Sequence, residues 1–207
     1  MSGQHSEDTP THNPRPRGRP RTVIDLDAVA DAVAELVIDG GENAISIVGA
    51  AERLDISRAT LYRLVPTKED LVGIMFERAT RQQTEVLSEV VESGIPVRDR
   101  LIRLIRMQVE TAIRLRGYMP IFFGSDGLPA DVFQRWHAWS REFEATWHDC
   151  VEDAMAEGVL EQADVGTTTR LVLGMCLWVS RWYRAEDGIG TEHIARVALS
   201  LILPEGS

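Results

Sequence analysis

Only two of the 207 residues are cysteine, Cys150 and Cys176. That is too few for a disulfide-stapled scaffold. Both fall inside helical patterns and not at loop crossings, so free thiols in a reducing compartment, the cytoplasm, are expected. No stretch approaches the roughly 20 uninterrupted apolar residues of a membrane span. The N-terminal segment is polar and proline-rich, without the apolar run of a secretory signal. Strands are not expected, because no clean period-2 run of β-branched and aromatic residues occurs. Familiar catalytic patterns are missing too. There is no phosphate-binding loop or dinucleotide fingerprint, and Ser125, in Gly124-Ser125-Asp126-Gly127, is not a nucleophile elbow. His137 and His148 lie eleven residues apart on one helical pattern, roughly 16 Å apart and too far to share a metal. Glu144 and His148 read as a surface pair. These absences point away from an enzyme, with no cofactor and no metal expected.

Positive charge is also scarce. Twenty-two Lys and Arg face 32 Asp and Glu, a net charge of −10, which argues against a diffuse basic surface. The distribution qualifies the sum. The first 24 residues carry Arg15, Arg17, Arg19 and Arg21 against Glu7 and Asp8, while Asp25, Asp27, Asp31, Glu35 and Asp39 crowd the segment that follows. An acidic body repels a polyanion only where it faces it, and beyond about 8 Å that repulsion is largely screened.

What the chain has is helical periodicity, with 44% apolar residues, enough for a sizeable core. Residues 1–22, rich in Pro, Arg, Thr, Gly and His, bury too little to offset the entropy of ordering and are expected to form a disordered arm. Helices are expected over Leu26–Asp39, Ser46–Leu54, Arg58–Leu64 and a long run opened by Thr67. Further ones are expected over Val97–Leu115, Tyr118–Phe123, Ala130–Glu157, Val165–Arg184 and Thr191–Leu203. Cap residues and glycine or proline breaks mark the boundaries. The expected fold is all-α. A three-helix head, residues 23–72, carries a helix-turn-helix, and a helical bundle over residues 73–207 serves for effector binding and dimerisation through the last long helices.

Residues 45–64 carry the case for the head. Two short helices that cross closely need small residues, supplied by Ala50 and Ala51. Ile56 plugs the turn, and Leu61 and Leu64 are expected to bury the back of the second helix. Arg58, Ala59, Thr60, Tyr62 and Arg63 remain on or near the outer face, the layout of a recognition helix in a major groove. Arg58, near that helix's start, suits a bidentate pair with guanine. Ala59 and Thr60 suit a thymine methyl. Tyr62, Arg63 and Lys68 suit phosphates, as do the backbone N–H groups near Ser46 and Thr67 at helix starts, and Ser57, which caps the recognition helix, is counted with the DNA-facing residues.

The run Ser57-Arg58-Ala59-Thr60-Leu61-Tyr62-Arg63, followed by Pro66-Thr67-Lys68-Glu69-Asp70-Leu71, resembles the TetR family of bacterial transcriptional regulators. The specific part covers about residues 24–72. The resemblance implies a homodimer that binds a palindromic operator in double-stranded DNA and leaves it when an effector binds. Two positions depart from the family. Val65 stands where members usually have an aromatic residue, and Asp55 stands at the turn where glycine is common. Asp55 costs some backbone strain if its φ is positive.

Pro16-Arg17-Gly18-Arg19-Pro20-Arg21 resembles an AT-hook core. Glycine lets such a backbone sit deep, and Arg17 and Arg19 would enter the negative potential of a narrow minor groove. A solvated tail that only speeds encounter is the other reading.

In the body, Val132, Trp136, Trp139, Phe143, Trp147, Cys150 and Ala154 form one stripe, and Leu171, Met175, Trp178 and Trp182 another. Core packing accounts for most of them. The family resemblance adds a four-helix dimer contact, with Gly174, Ala154 and Ala156 permitting close approach. A pocket for a small apolar effector is expected among Met107, Thr111, Tyr118, Phe122, Phe123, Phe143, Trp147 and Cys176, a mix of aromatic, sulfur and hydroxyl groups suited to an adaptable site. The stretch from Gly174 to Arg184 also resembles regulators that sense acyl-type compounds. Arg98, Arg100, Arg103 and Arg106 read as a solvated face, with Arg106 pairing Glu110 along the helix. A helical ligand-binding protein whose head no longer binds DNA is the rival reading, supported by Val65 and the acidic first helix.

Overall fold

The computed structural model describes residues 24–117, 119 and 129–203, and they form helices joined by short turns. Eight α-helices occur among them: α1 Leu26–Gly40, α2 Ile47–Arg53, α3 Arg58–Tyr62, α4 Lys68–Glu92, α5 Val97–Arg114, α6 Ala130–Ala156, α7 Val165–Trp182 and α8 Thr191–Ile202. The arm over residues 1–22 and the expected helix Tyr118–Phe123, apart from Met119, lie outside the described residues. None of the described helices is long and apolar enough to cross a membrane.

Local chemistry fixes the helix starts. Asp25 caps α1 by accepting from the Asp27 N–H, Ser46 caps α2 through Gly49, and Ser57 caps α3 through Thr60. Thr67 and Asp70 form a reciprocal capping box at the start of α4, each side chain accepting from the other's backbone N–H. Asp164 caps α7 through Thr167. The turn between α2 and α3 places Asp55 at φ 51°, the left-handed region that disfavours most side chains. Gly49 lets α2 approach α1, since a Cβ there would stand 2.9 Å from Leu36 Cδ2.

Two apolar clusters organise the chain. The head cluster joins Val29, Val33, Leu36 and Val37 of α1 to Ala50, Ala51, Leu61 and Val65, and to Leu71, Val72, Met75 and Phe76 of α4. It also takes in Leu115, Met119 and Val132. The body cluster packs α5 (Leu101, Leu104, Ile105, Val109) against Phe143, Trp147 and Val151 of α6, Val172 and Cys176 of α7, and Ile194 and Leu199 of α8. Each fully buried side chain of this size contributes roughly 1.5–3 kcal/mol of apolar transfer energy. Helix α4 crosses from one cluster to the other, with Phe76 in the head and Leu87 in the body. A division at residue 72 therefore falls within a continuous helix.

Three expectations change. Leu64 does not bury the back of α3: it is 48% exposed, and Val65 is fully buried instead. The helix ends at Tyr62, and both Leu64 and Val65 bond back to the Leu61 carbonyl, which shifts the inward position by one residue. Ala154 is buried within the protomer's own core, so it offers no close approach to a partner. Arg106 reaches Glu192 of α8 at 2.9 Å and not Glu110, because the packed neighbour supplies a carboxylate.

Candidate functional site

The head presents one outward helix face. Arg58, Ala59, Tyr62 and Arg63 are exposed on α3 and its C-terminal cap. Leu61, on the opposite side, is fully buried and anchors the helix. Thr60 is half-buried, and its hydroxyl shares a 2.6 Å hydrogen bond with Ser57 Oγ. Its hydroxyl thus serves the cap. Ser46 Oγ is likewise engaged with the Gly49 N–H. Lys68 is tied down: its ammonium donates to the Glu42 carbonyl at 3.0 Å, linking α4 to the loop before α2. Arg17 and Arg19 lie outside the described residues.

The acids of α1 are largely neutralised from within. Arg53 of α2 pairs with Asp39 at 2.6 Å and lies 3.6 Å from Glu35. Arg78 and Arg81 of α4 pair with Asp31 and Asp27, each at 2.5 Å. The contact with Asp27 raises the Arg81 pKa above its ordinary value. These pairs link α1 to α2 and α4.

The body holds an apolar cavity of about 340 Å³ between α4, α5, α6 and α7. Phe76, Trp136, Trp139 and Phe143 supply its aromatic surface, and Met119, Leu115, Leu173 and Leu177 its aliphatic part. Gln83 and Gln108 are its buried polar groups. Trp139 is fixed by a 3.0 Å bond from its indole N–H to Thr84 Oγ1. Glu144 and Arg170 close one side with a 2.7 Å ion pair.

Of the residues expected in the pocket, Phe143 lines this cavity. Trp147 and Cys176 do not; both are fully buried in the core behind it, and burial pushes the Cys176 thiol up to about 12. Thr111 is buried elsewhere on α5, and Met107 packs half-buried against the body core. Tyr118, Phe122 and Phe123 lie outside the described residues. The residues that sequence reasoning missed include Phe76, Ala79, Thr80, Gln83 and Gln108 on α4 and α5, Trp136 and Trp139 on α6, and Leu173 and Leu177 on α7. Two glutamines on otherwise apolar helix faces were the available signal.

A second apolar surface runs along α7 and α8. Leu171, Trp178, Trp182, Ile189, Val197 and Leu201 form a broad open trough. Leu171, Trp178 and Leu201 are 68%, 64% and 74% exposed. The two expected stripes therefore divide: Phe143, Trp147 and Cys150 on α6 face the protomer's interior, and the α7 stripe faces outward.

No curated protein sequence matches the chain. Solved structures match its fold over most of its length. AibR, solved in complex with isovaleryl coenzyme A and operator DNA, superimposes with a TM-score of 0.74 at 21% identity, covering 86% of this chain and 98% of its own. PfmR, a TetR family transcriptional regulator from Thermus thermophilus, gives 0.71 at 23% identity over 84% of this chain and 96% of its own. The ketosteroid transcriptional regulator KstR2 of Mycobacterium tuberculosis gives 0.71 at 17% identity over 87% and 95%. The family model for the tetracyclin repressor-like C-terminal domain matches residues 94–204, more than half the sequence. With the capped helix-turn-helix in front of that bundle, the chain belongs to the TetR family of transcriptional regulators.

Proposed function

We propose that this regulator is a ligand-responsive repressor that binds a palindromic operator as a homodimer and releases it when a small, largely apolar effector enters the body cavity. The observation that carries the reading is the free face of α3. The side chains of Arg58, Tyr62 and Arg63 are exposed and make no hydrogen bond among the described residues, while the same helix is pinned by Leu61 and the Ser57 cap. A rigid helix with unspent donors is what base and phosphate contacts require. Residues 23–72 act as the reader and residues 73–207 as sensor and dimer body. The arm, through Arg17 and Arg19, adds minor-groove contacts.

A second copy of the chain covers the α7–α8 trough. An apolar patch of that breadth on a free monomer invites association. A two-fold axis through the trough presents two recognition helices to successive major grooves, about 34 Å apart. The effector acts by population shift, favouring a dimer whose helices no longer match that spacing. The aromatic lining suits an apolar or acyl-type molecule, in keeping with the isovaleryl coenzyme A bound by AibR. Gel shift with DNA from upstream of the protein's own gene tests the reading. A complex at low salt supports it; failure there and on neighbouring promoters favours a body that binds ligand without a working head.

A further inference from the structure

One polar side chain of the cavity lining, the Gln108 amide, carries an oxygen without a hydrogen-bond partner among the described residues. Gln108 on α5 is 2% exposed, and the unpaired atom is its Oε1. Leaving a buried acceptor unpaired is costly, so such atoms call for a partner. The neighbouring hydroxyls are already spent: Thr80 Oγ1 donates to the Phe76 carbonyl at 3.1 Å, and Ser140 Oγ to the His137 carbonyl at 3.2 Å. The cavity's charges, Glu144 and Arg170, neutralise each other at 2.7 Å. A charged group placed deep among Phe76, Trp136, Trp139 and Phe143 would lose its hydration without meeting a counter-charge.

On the reading of the cavity as the effector site, we propose that the effector presents an uncharged hydroxyl or N–H to Gln108 Oε1, on an apolar ring or chain held by the four aromatic side chains. Gln108 then selects the ligand's polar group, and the aromatic walls select its size. A hydrogen-bonding site rejects an isosteric analogue lacking the donor, because its own acceptor is left unpaired.

Trp136 and Trp139 line the cavity, so tryptophan fluorescence of the full chain reports occupancy. Three probes of similar size separate the cases: 4-propylphenol, 4-propylanisole and 4-propylbenzoate. The phenol should bind about tenfold tighter than the anisole or the benzoate, which lack an uncharged donor. In Gln108→Met that advantage should vanish while anisole affinity holds. The unliganded variant should melt no lower than the native chain, since an orphaned acceptor has been removed. Equal binding of phenol and anisole by the native chain overturns the proposal whether or not the variant folds. So does tightest binding of the benzoate, or a phenol preference that survives Gln108→Met; the cavity then remains an effector site of other selectivity. If none of the three probes binds, the cavity reading itself fails, and the role of Gln108 with it.

Discussion

Arg78 on α4 reaches back to Asp31 on α1, nitrogen to oxygen 2.5 Å, and donates to the Asp27 carbonyl as well. One guanidinium therefore satisfies a side chain and a backbone group on the helix that backs the reading head. Arg78 is mostly sheltered, whereas Asp31 is solvated. Replacing Arg78 by alanine leaves the Asp31 carboxylate solvated and the Asp27 carbonyl part-buried, so the loss is moderate, about 1 kcal/mol. Thermal melting should show the midpoint lowered by a few degrees with the helical signal intact. A midpoint equal to that of the native chain would mean that the Arg78 contacts add nothing to the hold on α1.

Asp164 gives the chain a defined acid sensitivity. The Thr167 hydroxyl and N–H both favour its charged form and lower its pKa below the usual carboxylate range. A lowered folded-state value stabilises above the unfolded pKa, and that contribution is lost as pH falls through the folded value. Asp164→Ala should therefore melt lower than the native chain at neutral pH. The gap should close on acidification below about pH 4. Melting curves across that range check it, and a gap independent of pH would contradict the cap's ionic character.

The N-terminal arm is tested by deletion of residues 1–21. If Arg17 and Arg19 enter the minor groove, operator affinity falls. The slope of log affinity against log salt also flattens, by about 0.9 for each phosphate no longer neutralised. A fluorescence-anisotropy titration at several salt concentrations reads both quantities. Unchanged affinity and slope would make the arm a bystander.

The outward stripe of α7 carries the dimer reading. Trp178 is largely exposed in the protomer, so Trp178→Glu should leave the fold intact while placing charge in the apolar contact. Light scattering should show the mass fall to that of one chain. Operator affinity should drop on the order of 100-fold as the bivalent advantage disappears. A dimer of native affinity would place the interface elsewhere.

Much of this was legible in the sequence because capping is local chemistry. Asp25, Ser46, Ser57 and Thr67 each sit one residue before the helix they start. The strain expected at Asp55 is present as a φ of 51°. Tertiary information was less legible. The helical repeat places Trp147 and Trp178 on apolar stripes alike, but only packing decides that one faces the core and the other solvent. Arg106 chose Glu192 over its i,i+4 neighbour for the same reason. The cavity was the hardest part to foresee. Residues behind its wall, such as Cys176, and those lining it, such as Phe76 and Gln108, obey the same periodicity.

The most direct test of the account is selection of bound DNA from a random library by the full chain and by Arg58→Ala. The native chain should enrich a palindrome whose half-sites lie about one helical turn apart. The variant should lose preference at defined positions of each half-site, at a cost of roughly 1–3 kcal/mol there, while still holding DNA. Enrichment of no sequence at low salt, or the same motif from both proteins, would contradict the assignment of α3 as the reader.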